Sequence, residues 1–279
     1  MPQLARLWVA LLTHRDEDSD TRGRVTLSIN VAGEQLLNQV LPLLQLRAQA
    51  SLYKFNVEGK RINSDTLTAS SVRLQISDQS TGSNGDDAWK PERFFLWGEE
   101  APPPFSDIGI FPLAIEMGFR EELSTDASEG VPSIPLRLVE RGNTDMGINR
   151  LLILVATEGG TKNSLEIQIV SNDRLVALCE IKDTSQGDLR AGSSFYTMPV
   201  ILPFTRSSLT NESITLRIKG GMDDWKPRRF FLFGLDDATG RPEFIVPLVH
   251  LQEWPFGTMS PDTTNGIASV TLPLTLGSF

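Results

Sequence analysis

The sequence predicts an all-β protein made of two tandem β-sandwich modules, residues 1–144 and 145–279. Three observations support this prediction: a motif that recurs in both halves of the chain, short segments in which apolar and polar residues alternate, and the scarcity of helical spacing. A chain of 279 residues also has room for two domains of ordinary size.

The strongest evidence for two modules is a block of sequence that occurs twice. Residues 87–98 recur as residues 223–234, and nine of the 12 positions are identical. Further matches follow in the same order along both halves: Tyr53 with Tyr196, Ser124 with Ser260, Asp126 with Asp262, and Gly130 with Gly266. The chain is therefore predicted to be a tandem repeat of a unit of about 140 residues. The polar residues 140–147 are predicted to form the linker.

Each module contains segments that are typical of β-strands. Residues 25–29, 72–76 and 165–169 alternate apolar with polar side chains, which is the period of a strand with one face in a core. Residues 93–97 and 229–233 are nearly continuous apolar runs, as in strands buried on both faces. Residues 35–45 are the exception, because their spacing favours a short helical turn that Pro42 would end.

Composition and charge exclude several classes of protein. The chain is 40% hydrophobic and 22% charged, too apolar for a disordered protein and too polar for a membrane-spanning one. A net charge of −9 argues against nucleic acid as a partner, because phosphate backbones are bound by basic surfaces. The apolar run at residues 7–12 is too short for a signal peptide or a transmembrane segment. We therefore expect a cytoplasmic protein, or one released without a cleavable leader.

The second module carries a series of motifs in a definite order. An apolar strand is followed by Gly159-Gly160-Thr161, the alternating strand 165–169, Gly192 before an aromatic pair, the strand 214–218, and Asp223-Asp224-Trp225 before a last apolar strand. This order resembles the PLAT (LH2) domain family over residues 150–235 and, more weakly, over residues 6–99. The resemblance implies an eight-stranded β-sandwich that is not catalytic and that docks on membranes, lipids or proteins, in some members with calcium.

Acidic residues in predicted loops make calcium the one cofactor that the sequence suggests, since calcium takes about six to eight oxygen ligands. The candidate ligands in the first module are Asp16, Glu17, Asp18, Asp20, Asp86 and Asp87, and those in the second are Glu158, Asp223 and Asp224. One family ligand is not carried over, because Lys162 and Arg22 stand where the family often has an acidic residue after the Gly-Thr step. The alternative is that the acidic residues are solvated turn residues, because Asp favours turns through local hydrogen bonds.

The repeated Trp-Lys-Pro step has two interpretations. As a binding surface, Trp89 with Lys90 and Trp225 with Lys226 would sit at exposed loop tips and contact a lipid headgroup or a protein. As a structural element, each Trp would fill the end of the sandwich and its ring nitrogen would find a hydrogen-bond acceptor. The sequence favours the structural interpretation, because aromatic side chains more often pack than protrude.

Features present in only one module are the better candidates for a contact surface, because a duplicated fold keeps in both copies what its core needs. Trp254 and Phe256 are such features, since the aligned residues Gly118 and Arg120 are not aromatic. The others are the acidic residues 16–20, the insertion 79–85 and the proline-rich residues 101–105.

Signals for enzymatic chemistry are weak. The two histidines, His14 and His250, fall at different places in the two modules, and Cys179 lies in an apolar stretch typical of a core. No nucleophile elbow, phosphate loop or dinucleotide-binding motif occurs.

The sequence therefore predicts a non-enzymatic interaction or scaffolding protein that recognises a protein or lipid surface. Two alternatives stay open: a structural subunit of a larger bacterial or viral assembly, and a carbohydrate-binding or polysaccharide-active protein.

Overall fold

A computed structural model describes residues 3–14, 23–41, 50–77, 88–100, 109–182, 192–221, 223–237 and 242–275. The regular structure of these residues is β-strand throughout, apart from two short 3₁₀ turns, so the predicted all-β class is confirmed. The chain divides into two compact units, Met1–Val139 and Glu140–Phe279.

The first unit has eight strands and a 3₁₀ turn at Ser64–Thr66. The strands are β1 Leu4–Thr13, β2 Arg24–Val31, β3 Glu34–Val40, β4 Ala50–Asn56, β5 Val72–Ser77, β6 Pro91–Glu100, β7 Ile110–Glu116 and β8 Ser133–Pro135. They pair antiparallel in the orders β7-β6-β1-β4 and β3-β2-β5-β8.

The second unit has nine strands and a 3₁₀ turn at Arg206–Ser208. The strands are β9 Glu140–Arg141, β10 Gly147–Gly159, β11 Ser164–Ser171, β12 Arg174–Ile181, β13 Gly192–Thr205, β14 Ile214–Lys219, β15 Lys226–Asp236, β16 Phe244–Leu251 and β17 Ser269–Thr271. One sheet has the order β13-β10-β15-β16-β9, with β9 parallel to β16, and the other has the order β12-β11-β14-β17.

Each unit has its own core, and each core takes side chains from both sheets of its unit. In the first unit every second residue of a strand belongs to the core, as with Leu7, Val9 and Leu11 of β1 and Val25, Leu27 and Ile29 of β2. The second unit repeats this with Leu151, Ile153 and Val155 of β10 and Leu165, Ile167 and Ile169 of β11. Burial of each such aliphatic side chain contributes about 1.5–3 kcal/mol. The alternation predicted at residues 25–29, 72–76 and 165–169 is therefore confirmed.

The strands β6 and β15 are buried on both faces. Phe94 and Leu96 face the core of the first unit, and Phe95 and Trp97, which alternate with them, have no exposed surface either. Trp97 stacks on Trp8 of β1 with 5.8 Å between the ring centroids. In β15 the alternating residues 230–233 are likewise fully buried. The apolar runs at 93–97 and 229–233 therefore form the doubly buried strands that the sequence predicts.

The predicted helical turn at residues 35–45 is wrong where the structure describes it. Residues 34–40 form β3, which pairs with β2 through a two-residue turn. Ala32 and Gly33 have φ of 50° and 86°, and Asn172 and Asp173, between β11 and β12, have φ of 48° and 62°. Two consecutive positive φ angles are what a type I′ hairpin requires. Pairing with β2 therefore overrides the helical spacing of this segment.

The boundary between the units lies five residues before the position that the sequence suggested. Glu140 and Arg141 form β9, which pairs with Phe244 and Ile245 of β16. The backbone N–H of Gly142 also donates to the Ile245 carbonyl at 2.8 Å. These hydrogen bonds attach the start of the predicted linker to the second unit.

Candidate interaction surface

The tryptophans of the repeated Trp-Lys-Pro step are core residues. Trp89 and Trp225 have no exposed surface, and each pairs through its backbone with a second loop, at Leu123 and Met259 respectively. Both rings donate a hydrogen bond from Nε1 to a threonine Oγ1 at 3.2 Å; the acceptors are Thr13 and Thr157. The structural interpretation, which the sequence favours, therefore describes both rings, because each ring is buried in its core and its one polar group is satisfied. The alternative of exposed loop tips does not.

The two lysines of the same step do not share an exposed aromatic surface. Lys90 Nζ lies 3.5 Å from Glu122 Oε1. Lys226 is exposed at the start of β15. Because the adjacent tryptophans are buried, neither lysine forms the predicted pair of a cation with an exposed ring.

Trp254 and Phe256 cover one end of the second core. Trp254 is half-buried, its ring centroid lies 6.0 Å from that of Trp225 and 5.0 Å from that of Phe256, and its Nε1 donates to the Gly257 carbonyl at 2.7 Å. In the first unit Phe119 packs against the core from the corresponding loop. It lies between Gly118 and Arg120, which are the residues that align with Trp254 and Phe256. An aromatic side chain thus packs against the core from this loop in both units, and a contact surface formed by Trp254 and Phe256 stays a prediction.

The structure describes all three candidate calcium ligands of the second unit, Glu158, Asp223 and Asp224. Glu158 and Asp223 are exposed, and the Asp223 carbonyl accepts a hydrogen bond from Asn163 Nδ2. No group of three or more His, Cys, Asp or Glu side chains in the described ranges is arranged to hold a metal ion. Calcium binding by Glu158, Asp223 and Asp224 therefore stays a prediction.

Several predicted sites lie outside the described residues. These are Asp16, Glu17, Asp18, Asp20, Asp86 and Asp87, the insertion 79–85 and the proline-rich residues 101–105.

The repeated Ser-x-Asp loop has a structural explanation. Ser124 Oγ accepts from the Asp126 backbone N–H at 3.0 Å, and Asp126 Oδ1 accepts from the Ser128 N–H at 2.8 Å. A Cβ on Gly130 would lie 2.3 Å from the Glu122 carbonyl oxygen, so the close backbone approach requires glycine. The second unit repeats these contacts with Ser260, Asp262, Thr264 and Gly266.

Cys179 has the environment of a structural residue. Its side chain is buried in the second core, and desolvation raises the pKa of the thiol to about 11. The thiol is therefore protonated at neutral pH, which makes it a poor nucleophile.

Exposed apolar side chains, which the sequence interpretation did not single out, distinguish the two units. Among the described residues, all exposed large hydrophobic side chains belong to the second unit, and 38 to 54% of their surface is accessible. They are Val170 of β11, Leu175 and Leu178 of β12, Ile201 and Leu202 of β13, and Ile267. We call Val170, Leu175 and Leu178 the hairpin face, Ile201 and Leu202 the tip, and the two together the apolar surface.

The hairpin face lies on the outer side of the β11–β12 pair. Val170 pairs with Leu175, and Gln168 pairs with Leu178. β12 has one extra residue opposite Ile169 and Val170, which is a β-bulge. Apolar and polar residues therefore do not alternate regularly along β12, and period-two spacing does not identify its outward side chains.

The first unit carries polar residues at the same positions. Asn30 pairs with Gln35, Ser28 pairs with Asn38, and a bulge follows Ile29 at the corresponding point of β2. Gln35 and Asn38 are exposed. The second unit therefore has aliphatic side chains where the first unit has exposed amides. Since the first unit folds with amides there, core packing does not require the aliphatic side chains of the hairpin face.

The tip belongs to a bulge of β13. Arg150 pairs with Pro199, whereas Ile148 pairs with Phe204, so β13 has extra residues between the two prolines that flank Val200, Ile201 and Leu202. In the first unit the segment after β4 is instead the charged turn 58–61.

The tip and the hairpin face lie on neighbouring strands. β12 lies beside β13. Ser171, at the β11–β12 turn, donates from Oγ to Ser208 Oγ at 2.6 Å, just after the end of β13. Both parts of the apolar surface therefore lie on strands of the second unit, and β12 contacts β13.

Comparison of the chain with protein-family models, with curated proteins and with solved structures finds no match. None of the helical segments that the structure describes has the length and apolar character needed to cross a bilayer.

Proposed function

We propose that the chain is a non-enzymatic interaction and scaffolding protein that binds a protein or lipid surface through the apolar surface of its second unit. The observation that carries this proposal is the concentration of exposed aliphatic side chains on β11, β12 and β13. Apolar side chains gathered in one exposed region are typical of a surface that another molecule covers.

We also infer that the two units are copies of one β-sandwich of the PLAT-like kind. Three observations support the inference. Strand order repeats, since β7-β6-β1-β4 corresponds to β16-β15-β10-β13 and β3-β2-β5-β8 corresponds to β12-β11-β14-β17. The Trp-to-Thr hydrogen bond occurs in both units, at the same distance. Tyr53 and Tyr196 also face equivalent residues, Val9 of β1 and Ile153 of β10.

The replacement of polar by apolar residues on this scaffold favours an interaction role. The first unit forms its hairpin with Gln35 and Asn38 at the exposed positions, whereas Leu175 and Leu178 keep 40 and 44% of their surface in water and so stabilise the fold less than buried leucines would. Their burial by a partner would stabilise the complex.

The proposal is tested by removing the tip. Ile201→Ser/Leu202→Ser is compared with wild type in cosedimentation with phosphatidylcholine vesicles and in capture of proteins from a lysate of the source cells. Ile267→Ser is the matched control, because Ile267 is as exposed as Leu178 and lies outside the apolar surface. We expect the tip variant to lose binding in one of the two assays while keeping the wild-type melting temperature, and the control to bind like wild type.

The two assays separate the two kinds of partner. Loss of vesicle binding would assign the tip to lipid, and loss of a captured protein would assign it to protein. If wild type and the tip variant behave alike in both assays, the proposed function is wrong.

A further inference from the structure

We propose that a second copy of this chain covers the hairpin face, so that two copies form a symmetric dimer with their β12 strands antiparallel. The inference rests on the proposed function, because it assigns an occupant to one part of the apolar surface. The tip is not part of the proposed contact.

The hairpin face is open to such a contact. Within the described residues β12 is the last strand of its sheet, with β11 as its hydrogen-bonded neighbour. Val170, Leu175 and Leu178 lie on the outer side of these two strands and are at least 38% exposed. Contact between two such faces would remove six aliphatic side chains from water at one place.

The charges along β12 favour a second copy over other occupants. Asp173 and Arg174 precede the two leucines, Glu180 and Lys182 follow them, and all four residues are exposed. A two-fold axis at Ala177 reverses the strand, so that Arg174 of one copy faces Glu180 of the other, beside the Lys182 that lies 3.3 Å from Glu180 in its own chain. The pattern is complementary to itself, which fixes register and orientation more than it adds affinity.

The corresponding hairpin of the first unit lacks both properties. β3 has Gln35 and Asn38 where β12 has leucines, and its one charged residue is Glu34, with no basic residue at the other end. Two copies of β3 would bring polar side chains together without complementary charges. The dimer contact is therefore expected in the second unit only.

A membrane is a poorer match to this face. The chain has a net charge of −9, and the charges beside the hairpin face are of both signs. Neither property attracts the protein to anionic lipid.

Sedimentation velocity on the full chain tests the proposal. Wild type is expected to shift from monomer to dimer as its concentration rises from about 1 to about 100 µM, the range of a small interface. Leu175→Gln/Leu178→Asn, which installs the residues of the first unit, is expected to raise the dimer Kd by more than about tenfold. Ile267→Ser and the tip variant serve as controls and should dimerise like wild type.

Charge reversal provides a second test that does not depend on the leucines. Arg174→Glu should weaken the dimer, because it faces Glu180 of the other copy, and Arg174→Glu/Glu180→Arg should recover part of the loss. Circular dichroism establishes that each variant is folded. If the leucine variant does not fold, the charge variants decide.

Two results would overturn the proposal. One is a wild-type chain that stays monomeric over the whole concentration range, whether or not it binds vesicles. The other is a folded leucine variant that dimerises like wild type. Neither result affects the proposed function, because that function is tested by the vesicle and capture assays on the tip variant. Conversely, if those assays show no binding by the tip but the wild-type chain dimerises, the dimer proposal still holds.

Discussion

Thr157 and Thr13 explain why a tryptophan can be buried at the same place in each unit. Each threonine ends or nearly ends a central strand and accepts the indole N–H at 3.2 Å. Burying an indole without an acceptor would leave its N–H unpaired in the core. The side chain that permits the burial therefore lies far from the tryptophan in sequence, 76 residues away in one unit and 68 in the other.

Replacement of Thr157 by Val should destabilise the protein by about 1–3 kcal/mol, because the shape of the side chain is kept while the Trp225 N–H loses its acceptor. Urea unfolding followed by tryptophan fluorescence measures the change. Thr157→Ser, which keeps the hydroxyl, is the matched control and should lose less. A Thr157→Val protein as stable as wild type would show that the hydrogen bond contributes nothing.

Strands were predicted from the sequence where one face is buried and the alternation is regular. Residues 25–29 and 165–169 meet that condition, and both are strands in the structure. Prediction failed where pairing between strands decides the secondary structure. The spacing of apolar residues in β3 suggested a helical turn, but the segment is a strand because it forms a hairpin with β2.

The candidate surface could be predicted much less well. A surface role for Trp89 and Trp225 stayed open beside the favoured structural one, because their burial depends on loops that approach them from elsewhere in the chain, at Leu123 and Met259. Leu175 and Leu178 were missed, because the bulge in the β11–β12 pair breaks the alternation. Exposure of a leucine depends on what covers it, and spacing along one strand does not contain that information.

The Ser-x-Asp loops should make stability depend on pH in the acidic range. Hydrogen bonds from Ser128 hold the pKa of Asp126 below its ordinary value of 3.8, and hydrogen bonds from Thr264 do the same for Asp262. Because the folded-state pKa is lowered, the carboxylates stabilise the fold above the unfolded-state pKa, and this contribution is lost as the pH falls through the folded-state value.

Asp126→Asn/Asp262→Asn should therefore be less stable than wild type near neutral pH, and the difference should shrink as the pH falls below about 4. Urea unfolding of both proteins across the acidic range measures this difference. A difference that is constant with pH would mean that the two carboxylates are not responsible.

The boundary between the two units falls at β9, which is only two residues long. Its pairing with β16 places the end of the first unit at Val139, and residues 140–142 are tied to the second unit by hydrogen bonds to Glu243 and Ile245. The polar, turn-rich sequence of residues 140–147 does not predict this attachment, because β9 pairs in parallel with a strand that is distant in sequence.

Hydrogen exchange on the full chain should distinguish a strand from a linker here. The backbone N–H groups of Glu140 and Gly142 donate to carbonyls of the second unit at 2.9 and 2.8 Å and should be protected. Asp145, whose N–H donates to the neighbouring Asn143 side chain, should exchange faster. Uniformly fast exchange over residues 140–147 would restore the linker interpretation.

Pro199 and Pro203, on either side of the tip, bear on the solubility of the molecule. An exposed aliphatic segment in an extended conformation is a nucleation point for fibrils, since a neighbouring chain can add a strand to it. Proline has no amide hydrogen, so a strand growing along residues 199–203 would meet missing donors at both ends. We therefore expect the two prolines to disfavour the addition of an identical segment beside Ile201 and Leu202.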